Sequence, residues 1–167
     1  LLTETRHLNF ALGEVNEAIE FARKKGFTIS LLDLFSSKAR ILTYLRDIDN
    51  AVGSIQQADA IRSSVKAAPI QRSIYYRSQF EVLLFQLEDT PKRGNGAPIN
   101  DLNSKITITA KKLIKTTNKA AQHRTEAYRL IGLYYWLTNK PNLTFKWFNK
   151  SVQEGERLEA RLELSRT

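Results

Sequence analysis

The chain has 167 residues, with 26 Lys and Arg against 17 Asp and Glu, two His, no Cys and no Met. Its length favours a single domain, and the missing cysteine excludes a disulfide scaffold, thiolate metal sites and a cysteine nucleophile. No stretch approaches the roughly 20 apolar residues of a membrane span and no signal-peptide pattern opens the chain, so a soluble, cytoplasmic location is expected. The absence of any methionine, with Leu1-Leu2 at the start, predicts a piece of a longer protein.

The seven Gly and four Pro fall between apolar-periodic stretches, as helix punctuation does. Leu31, Leu34, Phe35, Ala39, Leu42 and Leu45 recur at helical steps, and Ser30 with Asp33 has the spacing of a capping box at that helix's start. Asp47 suits the N-cap of a next helix, whose face is Ile48, Val52, Ile55, Ala58 and Ile61. Pro69 stands where a first-turn proline is tolerated, ahead of a helix through Ile70, Ile74, Phe80, Leu83, Leu84 and Leu87. Residues 89–101, with Pro91, Gly94, Gly96 and Pro98 beside Lys92 and Arg93, are expected to form one long, mobile loop.

Ile106-Thr107-Ile108-Thr109 alternates like a strand, but Ala110 to Lys115 continues it with helix formers and no turn signal, so the whole stretch is expected to be helix. Ala127 to Leu137 is apolar on nearly every side, which predicts a helix packed on both flanks. Small residues then set a register: Ala18, Ala51, Ala110 and Thr144 are separated by 33, 59 and 34 residues. A period of that length signals stacked helix pairs.

Two segments carry the pattern, Tyr128-x2-Ile131-Gly132-x2-Tyr135-x8-Thr144-x3-Phe148-x2-Ser151 and Phe35-x3-Ala39-x2-Leu42-x8-Ala51-x3-Ile55-x2-Ala58. In both, small residues sit where two helices cross and large ones fill the gaps beside them. The chain thereby resembles a tetratricopeptide-repeat array. In that resemblance Gly13 to Ala18 is the turn and early second helix of a repeat only partly included. No proline follows Ser151, and the repeat containing Ala110 matches poorly on its first helix, so the repeats are degenerate. Arg124 to Gly132, Tyr135-Trp136 and Lys146 to Leu158 are also similar to the helical C-terminal region of large bacterial signalling polypeptides. In those, an adenylate or guanylate cyclase domain and an AAA-type ATPase precede a TPR-like array, which implies that any catalytic domain lies outside these residues.

Few residues point to chemistry. His7 and His123 have no carboxylate at metal-ligand spacing, so no metal is expected. Ser63-x-x-Lys66 lies on a helical stretch without companion motifs, and Gly94-Asn95-Gly96 lacks a phosphate-loop lysine. The carboxylate pairs Asp47/Asp49 and Glu154/Glu156 stand at caps or on charged faces. No cofactor and no catalytic activity are expected.

The expected architecture is therefore all-α: a TPR-like right-handed α-solenoid of antiparallel helix pairs over 1–27, 29–66, 69–119 and 122–157, with a further helix starting after them. Such an array binds on the surface lined by the first helix of each pair. The register places Ser36, Arg40, Tyr44, Arg129, Leu133 and Trp136 on that surface, for a peptide, a partner protein or another domain of the same polypeptide. An alternative rests on charge, because residues 92–150 hold twelve Lys and Arg against two Asp and Glu. Within them Lys105, Lys111, Lys112, Lys115 and Lys119 form a basic patch that suits an acidic partner or nucleic acid, though a solvated lysine face opposite Ile108, Leu113 and Ile114 is the stronger reading. Membrane binding is not expected, since the stack needs the apolar faces.

Overall fold

In the computed structural model, which describes residues 2–93 and 99–167, every regular element is helical and no strand occurs among the described residues. The helices are α1 (Leu2–Lys25), α2 (Thr28–Tyr44), α3 (Ile48–Ser64), α4 (Pro69–Arg93), α5 (Ile99–Thr117), α6 (Arg124–Leu137), α7 (Pro141–Arg157) and α8 (Arg161–Arg166), with a 3-10 turn at Ala121–His123. The all-α class expected from the sequence is what is found.

One turn geometry recurs at four of the junctions. After α1, α2, α6 and α7 a residue enters the left-handed region (Gly26, Arg46, Asn139 and Glu159), and the residue following it donates to a carbonyl five positions back. The bonds are Phe27 N to Ala22 O, Asp47 N to Leu42 O, Lys140 N to Tyr135 O and Ala160 N to Gly155 O, at 2.8–2.9 Å. These are Schellman turns, which satisfy orphan carbonyls and let the next helix start at once. Only Gly26 adopts this conformation without a Cβ penalty. Asp47 caps α3 by accepting from the Asn50 amide, and Pro69 opens α4.

Consecutive helices pack as α2 on α3, α4 on α5 and α6 on α7, while α2 also packs on α4 and α4 on α6. The first helices of the three pairs thus touch one another in series. α1 lies against α2, and α8 covers α7 and part of α6. The core runs through these contacts as one cluster, in which Leu32, Tyr75, Phe80, Ile106 and Leu113 are almost fully buried. Each such side chain contributes about 1.5–3 kcal/mol of transfer free energy. α6 crosses α7 closely at Gly132, where an added Cβ would stand 2.5 Å from the Phe148 ring.

Several local expectations are corrected. α1 is one uninterrupted helix, so Gly13 is not a turn. The stripe Leu12, Val15, Ile19 and Ala22 packs across it, and that burial outweighs the roughly 1 kcal/mol that glycine costs a helix interior. Ser30 and Asp33 do not form a capping box, because α2 already starts at Thr28 as the Gly26 turn delivers the chain into it, and Phe27 makes no side-chain cap. Asp33 lies within the helix, and its Oδ1 is buried without a hydrogen bond. The expected loop over 89–101 is shorter, with α4 running to Arg93 and α5 starting at Ile99; its Gly94–Pro98 part lies outside the described residues. α6 is not packed all round, since Trp136 and Leu137 at its end are exposed.

The two glycines should respond in opposite directions. Gly132→Ala must displace the Phe148 ring and should lower unfolding free energy by about 1–3 kcal/mol. Gly13→Ala, with nothing within 4 Å of the new methyl, should raise it by about 0.5–1 kcal/mol. Urea unfolding of the two variants checks both signs.

Candidate functional site

The faces of α2, α4 and α6 that meet in series carry charge where a core would carry carbon. Arg40 on α2 reaches two helices at once. Its Nε donates to Glu81 Oε2 on α4 at 2.6 Å, and its Nη2 donates to Glu126 Oε1 on α6 at 2.8 Å. Glu126 Oε2 accepts from Arg77 Nη1 on α4 at 2.6 Å, and the Tyr44 hydroxyl donates to Glu81 Oε1 at 3.1 Å. Glu126 is only 4% exposed, so these are partly desolvated ion pairs and not surface ones. Removing one partner from such a pair is strongly destabilising, because it leaves the others charged and unpaired.

The protonation states follow from the neighbours. Burial alone would raise the Glu126 carboxyl, but Arg77 and Arg40 outweigh it and hold it below the usual carboxylate range. Burial likewise opposes charge on Arg40, and Glu81 and Glu126 overcome it. Burial and then Glu81 push the Tyr44 hydroxyl up, which keeps it a donor. His123, whose Nδ1 lies 3.4 Å from Arg77 Nη1, is pushed down by burial and by that guanidinium, and so is neutral at pH 7.

Beside this ladder opens a groove of about 370 Å³ lined by Tyr44, Glu81, Leu84, Phe85, Glu88, Arg129, Leu130, Leu133, Trp136 and Leu137. At its edge Arg46 pairs with Glu88 at 3.1 Å and lies over the Phe85 ring at 4.6 Å. Trp136, at the end of α6, is 67% exposed.

Of the residues placed on this surface from the sequence, Tyr44, Arg129, Leu133 and Trp136 line the groove together. Arg40 does not line it and instead holds two carboxylates behind it. Ser36 is corrected: it is 0% exposed, its hydroxyl donates to Leu32 O at 2.7 Å, and it can touch no partner. Sequence reasoning missed Glu81 and Glu126. Their signal was a single carboxylate set in apolar surroundings, Phe80-Glu81-Val82-Leu83-Leu84 and Thr125-Glu126-Ala127.

Lys105, Lys111, Lys112 and Lys115 are exposed on α5 and Lys119 is exposed in the turn after it, while Leu102, Ile106, Thr109, Leu113 and Thr116 form the buried face of α5. Lys105 pairs with Asp101 at 2.7 Å. No carboxylate among the described residues lies within ion-pair distance of the other four. Ile108 is not opposite the lysines but among them, at 52% exposure. Among the described residues no three His, Asp or Glu side chains are grouped to hold a metal ion, and no helix is long and apolar enough to cross a membrane.

Comparison with known proteins gives no match: no family model, no curated protein and no solved structure.

Stability should fall in two stages on acidification. His123 has a depressed value in the fold, so stability is full above about pH 6.5 and declines below it as the unfolded imidazole takes up a proton that the folded one refuses. Glu126 is depressed too, so its contribution is full above about pH 4.3 and is lost as pH falls towards its folded value. His123→Gln should flatten the upper stage, and Glu126→Gln should cost about 3–5 kcal/mol at neutral pH. Urea midpoints measured from about pH 8 down to about pH 2 resolve both stages.

Proposed function

We propose that the chain is a non-catalytic interaction module of TPR-like type, a right-handed solenoid of antiparallel helix pairs that binds a peptide, a partner protein or a neighbouring domain on the surface of its first helices. Three full pairs, α2/α3, α4/α5 and α6/α7, stand between α1 and α8. Support comes from the first helices touching in series, from the same Schellman turn inside the first and third pairs, and from the contact of Gly132 with Phe148 where a repeat crossing requires a small residue. On the C-terminal resemblance alone, the module belongs to a bacterial signal-transduction polypeptide whose cyclase or ATPase chemistry lies elsewhere.

The observation that carries the binding reading is the groove. Exposed Trp136 stands with Tyr44, Leu133 and Phe85 over a floor of fixed charge, contributed by three different helices. Exposed aromatics around a concave apolar site are what a bound segment uses as anchors. A rigid ion ladder beneath them keeps the site preformed, which lowers the ordering cost of binding.

One observation favours a second reading. Lys111, Lys115 and Lys119 have no carboxylate partner among the described residues, as a surface that takes phosphates would require, while Lys112 feels the Asp59 carboxylate. The lone apolar Ile108 among them and the absence of interleaved aromatics make it the weaker of the two.

Dodecapeptides selected by display on the purified chain separate the readings. Enriched peptides should lose about tenfold or more in affinity with Trp136→Ala and be unaffected by Phe10→Ala on α1. Peptides indifferent to Trp136 would remove the groove reading. Retention of a single-stranded oligonucleotide at moderate salt, abolished by Lys111→Glu with Lys115→Glu, would favour the α5 face instead.

A further inference from the structure

The ladder does not balance. Three guanidinium groups, Arg40, Arg77 and Arg129, meet two carboxylates, Glu81 and Glu126, and His123 beside them is neutral. Both oxygens of Glu81 are taken by Arg40 and Tyr44, and both of Glu126 by Arg40 and Arg77. Arg129 is left over. Its nearest carboxylate oxygen is Glu126 Oε1 at 3.8 Å, beyond hydrogen-bond distance and already accepting from Arg40. The Arg129 guanidinium donates no hydrogen bond among the described residues, its Nε is buried without a partner, and its side chain is 12% exposed. A cation so far removed from water and so poorly paired is costly unless something else supplies the anion. The other groove carboxylate, Glu88, is engaged by Arg46 at the edge, so it neither pairs with Arg129 nor sets the sign of the floor.

We infer that the groove takes an acidic peptide segment, one in which an Asp or Glu side chain reaches Arg129 while a neighbouring apolar side chain packs on Trp136 and Leu133. The missing charge is one negative charge, and a carboxylate accepts two parallel bonds from a guanidinium. Position selects a side chain over a chain terminus. Arg129 is recessed while Trp136 stands 67% exposed at the mouth, so a side-chain carboxylate reaches the floor with its backbone still at the mouth. A terminal carboxylate would have to bury main chain to do the same. This inference rests on the groove reading above.

Capped peptides Ac-Ser-Zaa-Xaa-Zaa-Ser-NH2, with Zaa an equimolar mixture of Leu, Ile and Phe and Xaa either Glu, Gln or Lys, test it by proton–nitrogen NMR on the Trp136 indole and Arg129 Nε signals. The Glu mixture should move both signals and bind about tenfold or more tighter than the Gln mixture, the factor one charge-assisted hydrogen bond supplies. The Lys mixture should bind weakest. Arg129→Gln should abolish the preference for Glu while leaving the Gln mixture's shift at Trp136 in place, and it should leave the urea midpoint of the free protein unchanged or raised, because the surplus cation is gone. Equal binding of Glu and Gln mixtures at Trp136, or loss of stability in Arg129→Gln, overturns the inference and leaves the groove reading standing. No shift at Trp136 from any mixture overturns both. Tighter binding by a Gln peptide ending in a free carboxylate than by the capped Glu peptide assigns the charge to a chain terminus and contradicts the side-chain assignment.

Discussion

Everything at the candidate site depends on Arg40. It touches carboxylates on two other helices, Glu81 on α4 and Glu126 on α6, and it spans 41 and 86 residues of chain in doing so. Apolar packing between α2, α4 and α6 would hold the three helices together but would tolerate sliding, because dispersion and burial have little directionality. Charge-assisted hydrogen bonds at 2.6–2.8 Å do not tolerate it. The ladder therefore sets the register of three helices at the place where their faces open into a groove.

That role has a thermodynamic cost. Desolvating two carboxylates and three guanidinium groups is repaid only where every lone pair and donor finds a partner. Glu81 and Glu126 meet that condition, whereas the Nε groups of Arg77 and Arg129 are buried without a partner, and Arg129 alone of the two makes no charge-assisted hydrogen bond among the described residues. A buried group left without a partner calls for a physical explanation, and the proposed acidic peptide supplies one for this surplus cation. The α5 lysines differ in kind: they are water-exposed, cost little to keep unpaired, and shape only the long-range field.

Much of this was legible in the chain because the signals were local. Asp47 and Pro69 announced helix starts, the crossing at Gly132 was readable from Gly132 and Phe148 at pattern positions, and Tyr44, Arg129, Leu133 and Trp136 fell on one surface once a register was assumed. What failed had tertiary causes. Gly13 resembles a turn only until the packed stripe of Leu12, Val15, Ile19 and Ala22 is seen to run past it. Ser36 reads as a surface serine, but its hydroxyl is satisfied by its own helix and can be buried without loss. The left-handed residues Arg46, Asn139 and Glu159 carry no glycine to betray their turns. Glu81 and Glu126 were invisible as a pair because no local pattern connects positions 45 residues apart.

Arg40 and Glu126 are coupled across the helix series if the ladder sets the register. A double-mutant cycle of Arg40→Met and Glu126→Gln in urea unfolding measures that coupling directly. The interaction free energy should be about 1.5–3 kcal/mol, with the double variant more stable than the sum of the single losses implies. Additivity within about 0.5 kcal/mol would contradict it, and the ladder would then be a bystander to a register held by apolar packing alone.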